Sequence, residues 1–138
     1  GAKLANPDRP VYVIQGDGSF MIHCQDLETA VRCRLPIVVV VCNDGAWGMI
    51  KGAQHAAFGG RYCGVDFGET RHDLLAEAMG ARGIRVEDPE DIRPALEEAA
   101  GSELPTVIDA VVDGEANLDV PVFFQMIVQL WLQGCEGI

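Results

Sequence analysis

Unbroken apolar runs alternate along this chain with stretches in which apolar positions recur every three or four residues. Ile37-Val38-Val39-Val40-Val41-Cys42 has no polar interruption, the pattern of a strand buried on both faces of a parallel sheet. Val11 to Gln15, bounded by Pro10 and Gly16, reads as an earlier strand, Gly83 to Glu87 as a short one, and Thr106 to Val112 as another buried one. Between them the period changes. Leu27, Ala30 and Val31 fall at i, i+3 and i+4, predicting a helix from about Gln25 to Arg34 that Leu35-Pro36 stops. Trp47 to Ala57 predicts a short helix over the sheet edge, and glycine-rich Phe58 to Thr70 predicts a loop. His72 to Met79 reads as a helix ended by Gly80. Asp88-Pro89-Glu90-Asp91 supplies a cap, a first-turn proline and acids suited to the helix dipole, ahead of an Ile92, Ala95, Leu96, Ala99 stripe. Pro94 conflicts with an unbroken helix there, so a kink or a separate first turn is expected. This alternation predicts an α/β fold: a mostly parallel sheet with helices on both faces.

Phe123 to Leu132 is apolar nearly all round, and a helix of that composition must be buried. Its cover is this domain's own core, a further domain or a second subunit. The run is too short to span a bilayer, and no signal peptide precedes the first strand. At 138 residues the chain, 1–138, is one domain's worth. Its net charge of −11 argues against nucleic acid or an anionic membrane as partner, since both demand basic surface. The five cysteines (Cys24, Cys33, Cys42, Cys63, Cys135) are odd in number and lack Cys-x-x-Cys spacing. They read as reduced thiols of a cytoplasmic protein, with Cys42 as a small buried apolar residue.

The candidate chemistry sits at two strand ends. Asp17 follows the first strand in Gly16-Asp17-Gly18-Ser19, and Asp44 follows the second in Asn43-Asp44-Gly45. Neighbouring parallel strands would bring both carboxylates to one sheet edge, where open α/β folds bind ligands. Two adjacent acids repel unless a cation lies between them, and Mg²⁺ suits oxygen ligands shared with phosphates. The alternative for Gly16-Asp17-Gly18 is a hairpin turn, which the following helical pattern disfavours. In the ligand reading its glycines let backbone approach a diphosphate, with Gly18 and Ser19 donating hydrogen bonds. Asn43 is expected to hold its loop through side-chain hydrogen bonds. His23, His55 and His72 have neither a nucleophile nor ligand spacing around them and receive no role, and no nucleophile elbow or Walker lysine motif is present.

Gly16-Asp17-Gly18-Ser19-Phe20, then Asn43-Asp44 with Gly48-Met49 beyond, resembles the cofactor motif of the acetolactate synthase and pyruvate decarboxylase superfamily. That motif runs Gly-Asp-Gly, about two dozen residues, then Asn-Asn. The lead-in from Gly1 to Pro10 and the stretch from Tyr62 to Asp113 extend the likeness over most of the chain. The resemblance implies the thiamine-diphosphate-binding fold truncated at its N-terminus, with thiamine diphosphate and Mg²⁺ as cofactors. It implies Asp17, Asp44 and the backbone carbonyl of Ala46 as metal ligands. It places Gly16, Asp17, Gly18, Ser19, Asp44, Ala46, Trp47, Gly48 and Met49 beside the cofactor, although Trp47 and Met49 read equally well as core residues.

By the same resemblance, the enzyme decarboxylates a 2-oxo acid such as pyruvate and passes the carbanion to an acceptor. The catalytic glutamate that activates the cofactor belongs to another domain, from a neighbouring subunit, and nothing here matches it. Upstream domains and a homodimer or homotetramer are therefore expected, and this chain alone is a half-site without activity. Two departures stand out. Asp44 replaces the motif's Asn, and Ala53 stands where acetolactate synthases carry Trp. The second leaves other thiamine-diphosphate decarboxylases and aldehyde lyases open. A reading of another class is a non-catalytic Mg²⁺/phosphate-binding regulatory domain of receiver type, which would want a lysine that Thr106 to Asp113 lacks.

Overall fold

The β-branched runs form strands β1 (Tyr12–Gly16), β2 (Val38–Asn43), β3 (Arg82–Val86) and β4 (Thr106–Val111). A computed structural model describes residues 1–118. All neighbouring strands run parallel, in the order β1-β2-β4-β3. The two longest apolar runs, β2 and β4, take the centre, where both faces are covered. Gly16 of β1 pairs with Cys42 of β2, so both strands end at the same edge.

Helices cover both faces. On one, Val39, Val41 and Val107 pack against Phe20 of α2 (Asp17–His23), Leu27 of α3 (Asp26–Arg32) and Ala76 of α5 (His72–Ala78). On the other, Val38, Ile108 and Val86 meet Ala95 and Ala99 of α6 (Ile92–Ala100). Burying each Val or Ile contributes about 1.5–3 kcal/mol. Alanines on α5 and α6 let these helices lie close to the sheet. At Gly83 the approach is closest, since a Cβ there would collide with the Asp73 backbone of α5.

Gly80 ends α5 with φ +84°, the left-handed conformation expected of a residue just past a helix. Pro89–Asp91 forms a separate 3₁₀ turn ahead of α6, capped by Asp88 Oδ1 accepting from Glu90 N at 2.9 Å. Pro94 then sits in the first turn of α6, where its missing N–H has no intrahelical partner to lose. Other elements differ from expectation. Asp17–His23 is a helix that the sequence pattern did not single out; Phe20 inserts into the core and Asp17 lies at the favourable N-terminal end. A short helix α1 (Ala2–Ala5) precedes β1, and α4 (Gly48–Phe58) starts one residue later than the pattern suggests. Helix α3 stops at Arg32, before Leu35-Pro36, through a turn that puts Arg34 at φ +51°. The apolar segment Phe123 to Leu132 and Cys135 lie outside the described residues.

Candidate cofactor site at the strand ends

Beyond the ends of β1 and β2 lies an open cleft of about 340 Å³. All nine residues singled out from the sequence line it: Gly16, Asp17, Gly18, Ser19, Asp44, Ala46, Trp47, Gly48 and Met49. Cys42, Ile50 and Val112 complete the wall. Cys42 is half-buried rather than a core residue, because its position next to the last residue of β2 turns it toward the cleft.

Asp17 is almost wholly buried, and both of its oxygens accept backbone hydrogen bonds. Gly18 N donates to Oδ1 at 2.7 Å, and Gly45 N donates to Oδ2 at 2.9 Å. The second bond crosses from one strand end to the other and ties the two acid-bearing loops together. Burial pushes the Asp17 pKa above its ordinary value, and the nearby Asp44 charge adds to this; the Gly18 and Gly45 bonds oppose it. Asp44 Oδ1 accepts from Ala46 N at 3.1 Å, closing a tight turn. A Cβ at Gly48 would strike Asp44 Oδ2, so glycine there gives that carboxylate its room.

The Ala46–Asp66 bridge is made by Trp47 N to Val65 O and Phe67 N to Gly45 O. Neither bond uses the Ala46 carbonyl, and Ala46 itself lines the cleft. Among the described residues no three His, Cys, Asp or Glu side chains gather around a possible metal. The oxygen donors that the family resemblance singles out, the Asp17 and Asp44 carboxylates and the Ala46 carbonyl, are hard ligands of the kind Mg²⁺ takes alongside phosphate and water.

The glycines divide in role. Gly16 has open space where a Cβ would lie, so the cleft floor there is clear for a ligand. At Gly18 a Cβ would sit 2.6 Å from the Trp47 ring, so glycine there serves the seating of Trp47, which meets Phe67 edge-on at 5.3 Å. Trp47 is thus both wall and packing residue. Helix α4 opens on the same wall with no side-chain cap, and its first N–H groups suit an anion. Met49 and Ile50, 73% and 50% exposed, stand at its mouth as large apolar side chains facing solvent.

Beneath the cleft lies a polar group that strand patterning did not reveal. Asp109, in the middle of β4, is fully buried. Its carboxylate accepts from Asn43 Nδ2 at 2.9 Å, Arg85 Nη1 at 2.8 Å and His72 backbone N at 3.2 Å. Asn43 also donates to Thr70 O at 3.2 Å, the loop-holding role expected of it. The His72 ring is buried against Phe20, and neither ring nitrogen has a hydrogen-bond partner among the described residues. A single acid in an apolar strand was the available signal for this group; its partners lie far away in sequence.

Residues 1–110 match the family model described as the thiamine pyrophosphate enzyme, C-terminal TPP binding domain. The chain is 36% identical over 121 residues to a probable acetolactate synthase large subunit of Methanococcus aeolicus. It is 38% identical over 120 residues to an acetolactate synthase of Bacillus subtilis. Each alignment covers 87% of this chain, while the chain spans only about a fifth of those relatives' length. Among solved structures, a thiamine diphosphate-dependent 4-hydroxybenzoylformate decarboxylase of Rhodococcus jostii superposes with TM-score 0.76 at 32% identity. That match covers 81% of this chain and 21% of the decarboxylase.

Proposed function

The chain belongs to the thiamine pyrophosphate enzymes, as their C-terminal TPP-binding domain, and from that premise we propose that its cleft holds Mg²⁺ and the diphosphate of thiamine diphosphate. The observation that carries this reading is the Gly45 N to Asp17 Oδ2 bond, which holds two acid-bearing strand ends on one cleft. Asp17, Asp44 and the Ala46 carbonyl would hold the metal. Gly16, Ser19 and the first turn of α4 would receive the diphosphate, while Met49 and Ile50 would border the reacting end. When bound, thiamine diphosphate supplies the electron sink for decarboxylating a 2-oxo acid. The protein's part is to bind, orient and neutralise charge. With a net charge of −11, the domain attracts the anionic cofactor through a metal and local N–H groups rather than through its overall field.

The reaction we favour is acetolactate synthase-like: decarboxylation of a 2-oxo acid such as pyruvate, with transfer of the remaining fragment to an acceptor. Other decarboxylases and aldehyde lyases of the family are the alternative, in keeping with Ala53. The activating glutamate would come from another domain, in a cytoplasmic homodimer or homotetramer. No helix among the described residues is long and apolar enough to cross a membrane.

Calorimetry tests the site directly. Thiamine diphosphate should bind the chain with Mg²⁺ and hardly at all in excess EDTA, and Asp17→Ala should abolish the metal-dependent binding. Equally tight binding with EDTA would sink the reading.

A further inference from the structure

We propose that Asp109 is a positioning residue for the metal loop, acting through Asn43; this rests on the cleft being the Mg²⁺–diphosphate site. The starting point is a cost. Val107, Ile108 and Ala110 show that an apolar residue packs well in β4, yet a carboxylate with no exposed surface stands between them. A buried ion pair is poor evidence of stabilisation, because desolvation of both charges offsets much of their attraction. Its retention calls for another reason.

The destination of its hydrogen bonds supplies one. Arg85 and the His72 N–H share Oδ2, which leaves Oδ1 to the Asn43 amide at 2.9 Å. Asn43 is the last residue of β2 and directly precedes Asp44. Its side chain is fixed at Nδ2 by two acceptors, Asp109 Oδ1 and Thr70 O, while its carbonyl accepts from Val112 N at 3.0 Å. The chain therefore leaves β2 in a set direction, into the turn where Gly45 bonds Asp17 and Ala46 bonds Asp44. Neither Asn43 nor Asp109 lines the cofactor cleft. Both act on the ligands from behind, as outer-shell partners orient metal ligands elsewhere.

The experiment measures Mg²⁺ affinity of the full chain at saturating thiamine diphosphate, at a temperature where every variant is folded, beside thermal melting in EDTA. Asn43→Ala and Asp109→Asn should each weaken Mg²⁺ binding about ten- to a hundredfold, the range typical of outer-shell partners. Because both act through one hydrogen bond, the double variant should bind no worse than the weaker single variant. A purely structural role would lower the melting temperature and leave the affinity of folded protein unchanged. Affinity within about twofold of wild type in Asn43→Ala, or losses that multiply in the double variant, would overturn the proposal. If Asp109→Asn does not fold, Asn43→Ala decides alone. Wild type and Asp17→Ala separate the two layers. A wild-type chain without Mg²⁺-dependent cofactor binding overturns the cleft reading and this inference together. Normal wild-type binding, lost in Asp17→Ala and kept in Asn43→Ala, overturns only the positioning role.

Discussion

Asp17 must be ionised to hold a cation, yet burial and the Asp44 charge favour its protonated form. With its folded-state pKa raised above the ordinary 3.8, the metal-free fold gains from protonation of Asp17 below that value. This gain is lost as pH rises through the folded-state pKa, the range in which a bound Mg²⁺ would take over. Mg²⁺ affinity should therefore fall on acidification at a higher pH than an unperturbed aspartate would give. Asp44→Asn, which keeps an oxygen ligand and removes one charge, should retain binding and move this acid limb to lower pH. Calorimetry across pH reads both, and an acid limb that stays put would refute the coupling. The glycines allow a second test. Gly18→Ala drives a Cβ into the Trp47 ring and should lower stability by about 1–3 kcal/mol, the usual effect of overpacking. Gly16→Ala enters open space, so it should leave melting in EDTA unchanged and weaken thiamine diphosphate binding instead. Equal melting temperatures for the two variants would contradict the division of roles.

Elements were legible from sequence where one local rule dominated. The Val38–Asn43 and Thr106–Val111 strands follow from runs rich in β-branched residues, and the stop after α5 from Gly80. That Asp17 and Asp44 share one cleft was legible too, because strand ends of a parallel sheet share an edge, while Ala46, Trp47, Gly48 and Met49 on the same cleft came from the family resemblance. Helix α2 was hidden because Gly16-Asp17-Gly18 favours turns locally, and only the long-range burial of Phe20 makes it helical. The Gly18–Trp47 contact and the Asp109 group were hidden for a related reason, since each joins distant segments through tertiary packing. The end of α3 shows a local cost that no periodicity reveals. Arg34 adopts φ +51°, where a Cβ is strained, and Leu35 N bonds Ala30 O at 2.9 Å around it. Arg34→Gly should therefore stabilise the fold by about 1 kcal/mol, the usual penalty for a side chain in the left-handed region. Chemical denaturation would show this as a higher midpoint at constant slope, and an unchanged or lower midpoint would refute it.

At the scale of the molecule, the cleft proposed for metal and diphosphate has no glutamate among its lining residues that could activate the cofactor. The isolated chain should therefore bind cofactor without turning over pyruvate above the rate of free cofactor; measurable turnover by pure chain would refute the half-site. Its surface points the same way. Helix α6 covers β2, β4 and β3 on its face of the sheet, but Tyr12 and Ile14 of edge strand β1 stay 47% and 75% exposed. They alternate along β1 and so lie on one face, beside Val40 of β2. Covering a large apolar side chain contributes about 1.5–3 kcal/mol, a sizeable part of a typical domain stability of about 5–15 kcal/mol. Adjacent apolar residues left in water favour association, with a second copy or with other parts of the protein. The chain should accordingly self-associate at high concentration, and Ile14→Lys should reduce this while leaving Mg²⁺-dependent cofactor binding intact, since Ile14 is outside the cleft. Light scattering decides the matter: a monodisperse wild-type monomer, or association unaffected by Ile14→Lys, would show that this face plays no part.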